Sequence, residues 1–146
     1  MTEPTVIAFR IEGEPPKTTA QGKRLNLSRG QFFKSKEHAA DMGALRLRMR
    51  AHRPIKPLEG PIQLTIVATW PYPKITPKRY QIGCRPKLTK PDVDNFAKGV
   101  IDALVDEGFF PDDAKVYGLN VLKFFGPPEA VGIDVHIRAS TVEATP

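Results

Sequence analysis

Along PIQLTIVATW, residues 61–70, Ile62, Leu64, Ile66, Ala68 and Trp70 fall on one side, with Gln63, Thr65 and Thr69 among the opposite set. A period of two predicts a half-buried strand. TVIAFRI, residues 5–11, repeats the pattern with Ile7, Phe9 and Ile11 against Arg10, and ends at GEPPK. KVYGLNVLKFF, residues 115–125, and GIDVHIRAS, residues 132–140, predict two further strands, joined through GPPEAV as an antiparallel hairpin. From Val93 the period changes: Val93, Phe96, Ala97, Val100, Ile101, Leu104 and Val105 have helical spacing, with Asp94, Lys98 and Asp102 on the other face and Gly108 as the stop. SKEHAADMGALRLRMRAH, residues 35–52, predicts a second helix with Ser35 as N-cap and Glu37 in the first turn. Its end is basic, with Arg46, Arg48 and Arg50 near the negative pole of the dipole, and Pro54 and Pro57 close it. Grouped strands with two main helices predict a small α+β fold with a mixed or antiparallel β-sheet, one domain over residues 1–146.

Two stretches lack periodicity. Residues 17–36 read as a mobile basic loop, with Gly22 and Gly30 marking turns. PYPKITPKRYQIGCRPKLTKP, residues 71–91, holds five prolines in 21 residues, too long for a tight hairpin, and reads as a protruding loop of the kind that usually carries function.

Charge adds a division that hydropathy does not show. Residues 1–91 hold 18 Lys/Arg against 6 Asp/Glu, a net of +12, whereas residues 92–146 hold 4 against 10, a net of −6. No acid lies between Gly60 and Pro91, and the cations there are interleaved with Trp70, Tyr72 and Tyr80. Lys74, Lys78, Arg79, Arg85, Lys87 and Lys90 there, with Lys17, Lys23 and Arg24 of the earlier basic loop, are candidate contacts for a polyanion such as DNA, and cations interleaved with aromatics suit phosphate contacts beside stacking on unpaired bases. The alternative is a solvated loop whose charge serves solubility.

The single Cys84 forms no internal disulfide and no multi-cysteine zinc site, and no segment approaches a membrane span or an export signal. The expectation is a soluble protein of the reducing cytoplasm, without a membrane partner. His38, His52 and His136 sit on separate elements without zinc spacing, and no Walker loop, GxGxxG or GxSxG occurs, so no nucleotide cofactor is implied.

The chemistry concentrates in two acidic clusters. KPDVDN, residues 90–95, sets Asp92 and Asp94 at a helix start, and FFPDD sets Asp112 and Asp113 before a strand, where they could approach that helix end. Carboxylates so crowded repel one another unless a cation neutralises them, and hard oxygen donors suit Mg²⁺ or Mn²⁺. Counted from Asp92, an EF-hand would need Gly at Ala97 and Glu at Ala103, so a calcium loop is excluded. The competing account is structural: Asp92 caps the helix, and Asp94, Lys98 and Asp102 form a solvent-facing ion-pair ladder.

KPDVDNFAKGVIDALVDEGFFPDDAKV, residues 90–116, closely resembles the core of the RusA-type Holliday-junction resolvases, with its PDxDNxxKxxxDaL pattern followed by DD. GEPPK and the flanking strands extend a weaker likeness over most of the chain. The resemblance implies a RusA-like fold and a Mg²⁺-dependent endodeoxyribonuclease, with Asp92, Asp94 and Asp113 at the metal and Lys98 completing the catalytic set. Asp102 takes a supporting or structural role first. It also implies a homodimer acting on a four-way DNA junction, two matched nicks needing two active sites, in a phage or prophage setting. The alternatives are a related nuclease preferring forks or flaps, and a non-catalytic nucleic-acid-binding module.

Overall fold

The computed structural model of the protein describes residues 3–17, 23–26, 31–34 and 36–141. The strands are β1 (Thr5–Glu12), β2 (Lys23–Asn26), β3 (Gln31–Lys34), β4 (Ile62–Pro71), β5 (Arg85–Pro86), β6 (Val116–Gly126) and β7 (Gly132–Ala139), and the α-helices are α1 (Lys36–Arg50) and α2 (Val93–Asp106). The main sheet has the order β1-β7-β4-β6-β5. Pairing is antiparallel for β1 with β7, β7 with β4 and β5 with β6, and parallel for β4 with β6. The result is the expected α+β fold with a mixed sheet and two helices.

The predicted hairpin between residues 115–125 and 132–140 does not form. β6 and β7 instead flank β4 on its two sides. β4 takes β6 in parallel and β7 antiparallel, and Ala68, Thr69 and Trp70, buried in succession, mark it as a central strand covered on both faces. Residues 17–36 also differ from expectation: β2 and β3 pair antiparallel, with Leu25 opposite Phe32 and Arg24 opposite Phe33. Four-residue strands carry too little alternation to be read from sequence. The expectations for residues 18–22, 27–30 and the Ser35 cap lie outside the described residues.

Register places the apolar side chains of three strands on one face: Ile66 pairs with Val135, and Ile7 with Ile137. Both helices cover that face. α1 contributes Met42, Leu45 and Met49 at i, i+3 and i+7, and α2 contributes Phe96, Val100, Ala103 and Leu104. Val93, expected in the α2 stripe, remains 45% exposed at the helix start. Gly108 ends the helix as predicted, at φ +84°, with its N–H donating to the Val105 carbonyl at 3.0 Å. Phe109 and Phe110 then sink into the core, which turns the chain back towards the sheet.

Beyond β4 the chain leaves the core as expected. Among the cations of residues 74–85, Lys74, Lys78, Arg79 and Arg85 are all exposed. The loop is braced across its width: the Tyr72 hydroxyl donates to the Gly83 carbonyl at 2.7 Å, and the Gln81 amide to the Thr76 carbonyl at 2.8 Å. Among the described residues, no helix is long and apolar enough to cross a membrane.

Candidate active site

The acids are brought together by the crossover that links the parallel strands β4 and β6. Pro91 is buried, the Lys90–Pro91 peptide is cis, and Asp92 occupies the N-cap of α2 with extended backbone. Its carboxylate makes no capping hydrogen bond and instead takes the Lys90 ammonium at 2.8 Å. The helix-cap account of Asp92 therefore fails on its central contact. Asp94, one position into the helix, is exposed and has no hydrogen-bond or ion-pair partner among the described residues. The ladder expected from Asp94, Lys98 and Asp102 is only half formed, with Lys98 and Asp102 3.8 Å apart.

FFPDD supplies the opposite wall. Burial of both phenylalanines leaves Asp112 and Asp113 exposed at the turn before β6. The Asp112 carboxylate accepts the Ala114 N–H at 3.2 Å, starting the short 3-10 turn Asp113–Lys115. Asp94, Lys98, Asp102 and Asp113 line a single groove of about 330 Å³ between α2 and β6, floored by Ala97, Ile101, Val116 and Leu119. Asp92 is not among its lining residues.

The two carboxylates of the turn shift each other in opposite directions. The hydrogen bond to Asp112, followed by desolvation and the Asp112 charge, holds the Asp113 carboxyl above its ordinary range, with Lys98 opposing and Asp102 adding. Asp112 is correspondingly lowered by that hydrogen bond and by the Ala114 N–H. This is the like-charge crowding that a cation relieves. No three His, Cys, Asp or Glu side chains among the described residues close on a common point as a metal cage. Exposed carboxylate oxygens of this kind suit a hard divalent cation that keeps much of its water and takes only one or two carboxylates.

The cations divide into several groups. Lys74, Lys78 and Arg79 are exposed on the loop after β4 and Arg85 on β5, with the Arg79 guanidinium 4.8 Å from the Tyr80 ring. Lys90 is exposed but held by Asp92, and Lys17 pairs with Glu14 at 3.2 Å. Lys23 and Arg24 lie in β2, and their side chains are outside the description. Lys87, expected to meet phosphate, is buried instead at 9% exposure. Its ammonium lies 4.5 Å from the Phe125 ring, 5.4 Å from Trp70 and 2.8 Å from the Thr89 hydroxyl. Burial, and secondarily the charge of Lys123, lowers its pKa.

Sequence reasoning missed Lys123. It stands on the apolar face of β6 beside the small Ala68, and its ammonium donates to the carbonyls of Thr89 at 2.9 Å and Pro91 at 2.6 Å. Burial lowers its pKa, the Asp92 charge raises it and the Lys90 charge lowers it. The signal in the sequence was a lysine at an inward position of an otherwise apolar strand.

The family described as Endodeoxyribonuclease RusA matches residues 13–138, which hold every element of this groove and its basic surround. The chain belongs to the RusA endodeoxyribonuclease family. It is also similar to a Bacillus subtilis (strain 168) protein, "Uncharacterized protein YqaN", at 32% identity over 145 residues, covering 90% of this chain and 95% of that protein. In this RusA member, the resemblance read from residues 90–116 accordingly extends over most of the chain.

Proposed function

We propose that the protein is a Mg²⁺-dependent endodeoxyribonuclease that resolves Holliday junctions by paired phosphodiester hydrolysis, with Mn²⁺ able to replace Mg²⁺. The observation that carries this reading is the convergence of Asp94 and Lys98 from α2 with Asp113 from the distant turn on one groove, in a chain of the RusA family.

In this reading Asp94 and Asp113 offer oxygen donors from opposite walls, and Asp92, two positions before Asp94, is a further donor. A bound divalent ion would supply polarisation of the scissile phosphate and a water of lowered pKa. Lys98, inside the groove, places positive charge where negative charge develops on the phosphate. Asp102 restrains the Lys98 side chain through their weak ion pair. Lys74, Lys78, Arg79 and Arg85 bind the flanking phosphates, with Lys90 nearer the acids. The chain works as one domain over residues 1–146, paired as a homodimer so that two grooves act on one two-fold branched substrate. Its setting is cytoplasmic and of phage or prophage type.

Incubation with a synthetic four-way junction and Mg²⁺ tests this, with fork, flap and linear duplex substrates alongside. Symmetric paired nicks in the junction are expected. Binding without cleavage would instead identify a nucleic-acid-binding module, and faster cleavage of forks or flaps would reassign the substrate.

A further inference from the structure

Resting on the nuclease reading above, we propose that Lys123 is a positioning residue: it holds the segment that presents Asp92, and so sets where that carboxylate stands relative to the groove. The argument begins with what does not hold Asp92. Its side chain makes no capping hydrogen bond to the helix amides at the N-cap, and its one ion-pair partner among the described residues, Lys90, is itself 80% exposed. A mobile surface pair of that kind fixes little. The backbone that carries Asp92 is, by contrast, tied tightly.

The Lys123 ammonium donates to the carbonyl of Pro91, immediately before Asp92, at 2.6 Å and to that of Thr89 at 2.9 Å. The main chain at the same residue completes the tie, with the Lys123 carbonyl accepting the Lys87 N–H at 2.9 Å. The Lys87 side chain then reaches forward to the Thr89 hydroxyl at 2.8 Å, from a seat over the Phe125 ring. One residue of β6 therefore grips residues 87–91 through both its backbone and its side chain. Charge-assisted hydrogen bonds to two carbonyls are stronger and shorter than neutral ones, and β6 is rigidly paired to β4 along its length. Asp92 thus inherits the position of the sheet.

The test compares Lys123→Met with Lys123→Arg. The first removes the donor but keeps the apolar stem, and the second restores two or more donors. Amide hydrogen exchange at Lys87, whose N–H is bonded to the Lys123 carbonyl, reads the grip in metal-free protein. Lys123→Met should speed exchange there about tenfold, leaving core amides of β4 unchanged, and raise the Mg²⁺ midpoint for junction cleavage about tenfold, the usual size of an outer-shell effect. Lys123→Arg should return both readouts towards the parent, and its failure to do so while folded overturns the proposal. Should Lys123→Met lose the fold, Lys123→Gln, with a shorter donor, replaces it and is held to the same two shifts. Asp92→Asn separates the two readings. Full cleavage by that variant overturns the role of Asp92 whatever Lys123 does. Cleavage lost in Asp92→Asn, with exchange and midpoint unchanged in Lys123→Met, overturns the grip alone.

Discussion

The two ends of α2 use the same kinds of side chain in opposite ways. At the C-terminal end the acids are neutralised by α1: Arg46 meets Asp106 at 2.7 Å, and the Arg50 guanidinium takes both oxygens of Glu107 at 2.9 and 3.1 Å. Glu107 is 7% exposed, and the Arg50 hydrogen bond is the first cause of its lowered pKa. At the N-terminal end Asp94 is exposed without a partner among the described residues, and Asp113 across the groove is raised by its acidic neighbour. Arginines, whose planar fork fits a carboxylate, close the structural end. Asp94 and Asp113 at the other end have no such arginine among the described residues, which suits the proposed site for a cation and a phosphate. Pairing, rather than acidity, is what separates the two roles.

The strongest attempt to break this contrast is Asp94→Asn, which keeps side-chain size and removes the charge. Cleavage of a four-way junction in Mg²⁺ should fall on the order of a thousandfold, while the melting temperature and junction binding in Ca²⁺ stay at parental values. Near-parental cleavage would sink the metal-ligand assignment. Next, replacing both unpaired loop lysines, Lys74 and Lys78, with Ala should weaken junction binding about tenfold and flatten the dependence of log affinity on log salt by about 2; an unchanged slope would move the contact surface elsewhere.

At the paired end the readout changes from activity to stability. Glu107→Gln should lower the melting temperature by a few degrees and leave cleavage by the folded protein intact, because the Arg50 guanidinium keeps a hydrogen-bond acceptor but loses the charge opposite it. Its pH signature is also specific. A carboxylate whose folded pKa is depressed contributes stability that is present above its unfolded value of about 4.5 and lost as pH falls through the folded one. The parent should therefore lose stability faster than Glu107→Gln below about pH 4.5, and coincident acid-unfolding curves would count against the pairing. The smallest effect belongs to Asp102→Asn. Its 3.8 Å pair with Lys98 is exposed, so the stability change should be about 0.3 kcal/mol, with cleavage reduced only a few-fold through a less restrained Lys98.

Much of this organisation was legible because single elements announce themselves. The alternation of residues 61–70 and the stripe from Phe96 to Leu104 need no distant information, and both stand where the pattern put them. Asp94, Lys98 and Asp113 stand in the order of the RusA-like motif, and the crossover brings them to one groove. What escaped was pairing between strands. The hairpin of residues 115–140 looked local, yet β4 takes both strands as neighbours. Lys87 stood among Arg85 and Lys90 in a run without acids, and only the folding of Trp70 and Phe125 around it turned a candidate phosphate contact into a buried cation. Lys123 escaped for the same reason, since the carbonyls it binds are 34 and 32 residues away.

The position of β7 bears on how such an enzyme is made. Among the described residues β1 pairs with β7 alone, and β4 offers β7 a full edge. As the ribosome releases the chain, α2, the groove acids and β6 all emerge before Gly132–Ala139 does. Until then β1 has no strand to join and β4 keeps one side bare, the kind of open edge that invites pairing with a foreign chain. A prematurely terminated polypeptide would therefore hold every groove residue yet lack the strand that unites its sheet. Quality control would meet it as an aggregation-prone fragment, and the cell's DNA would be spared a half-built nuclease.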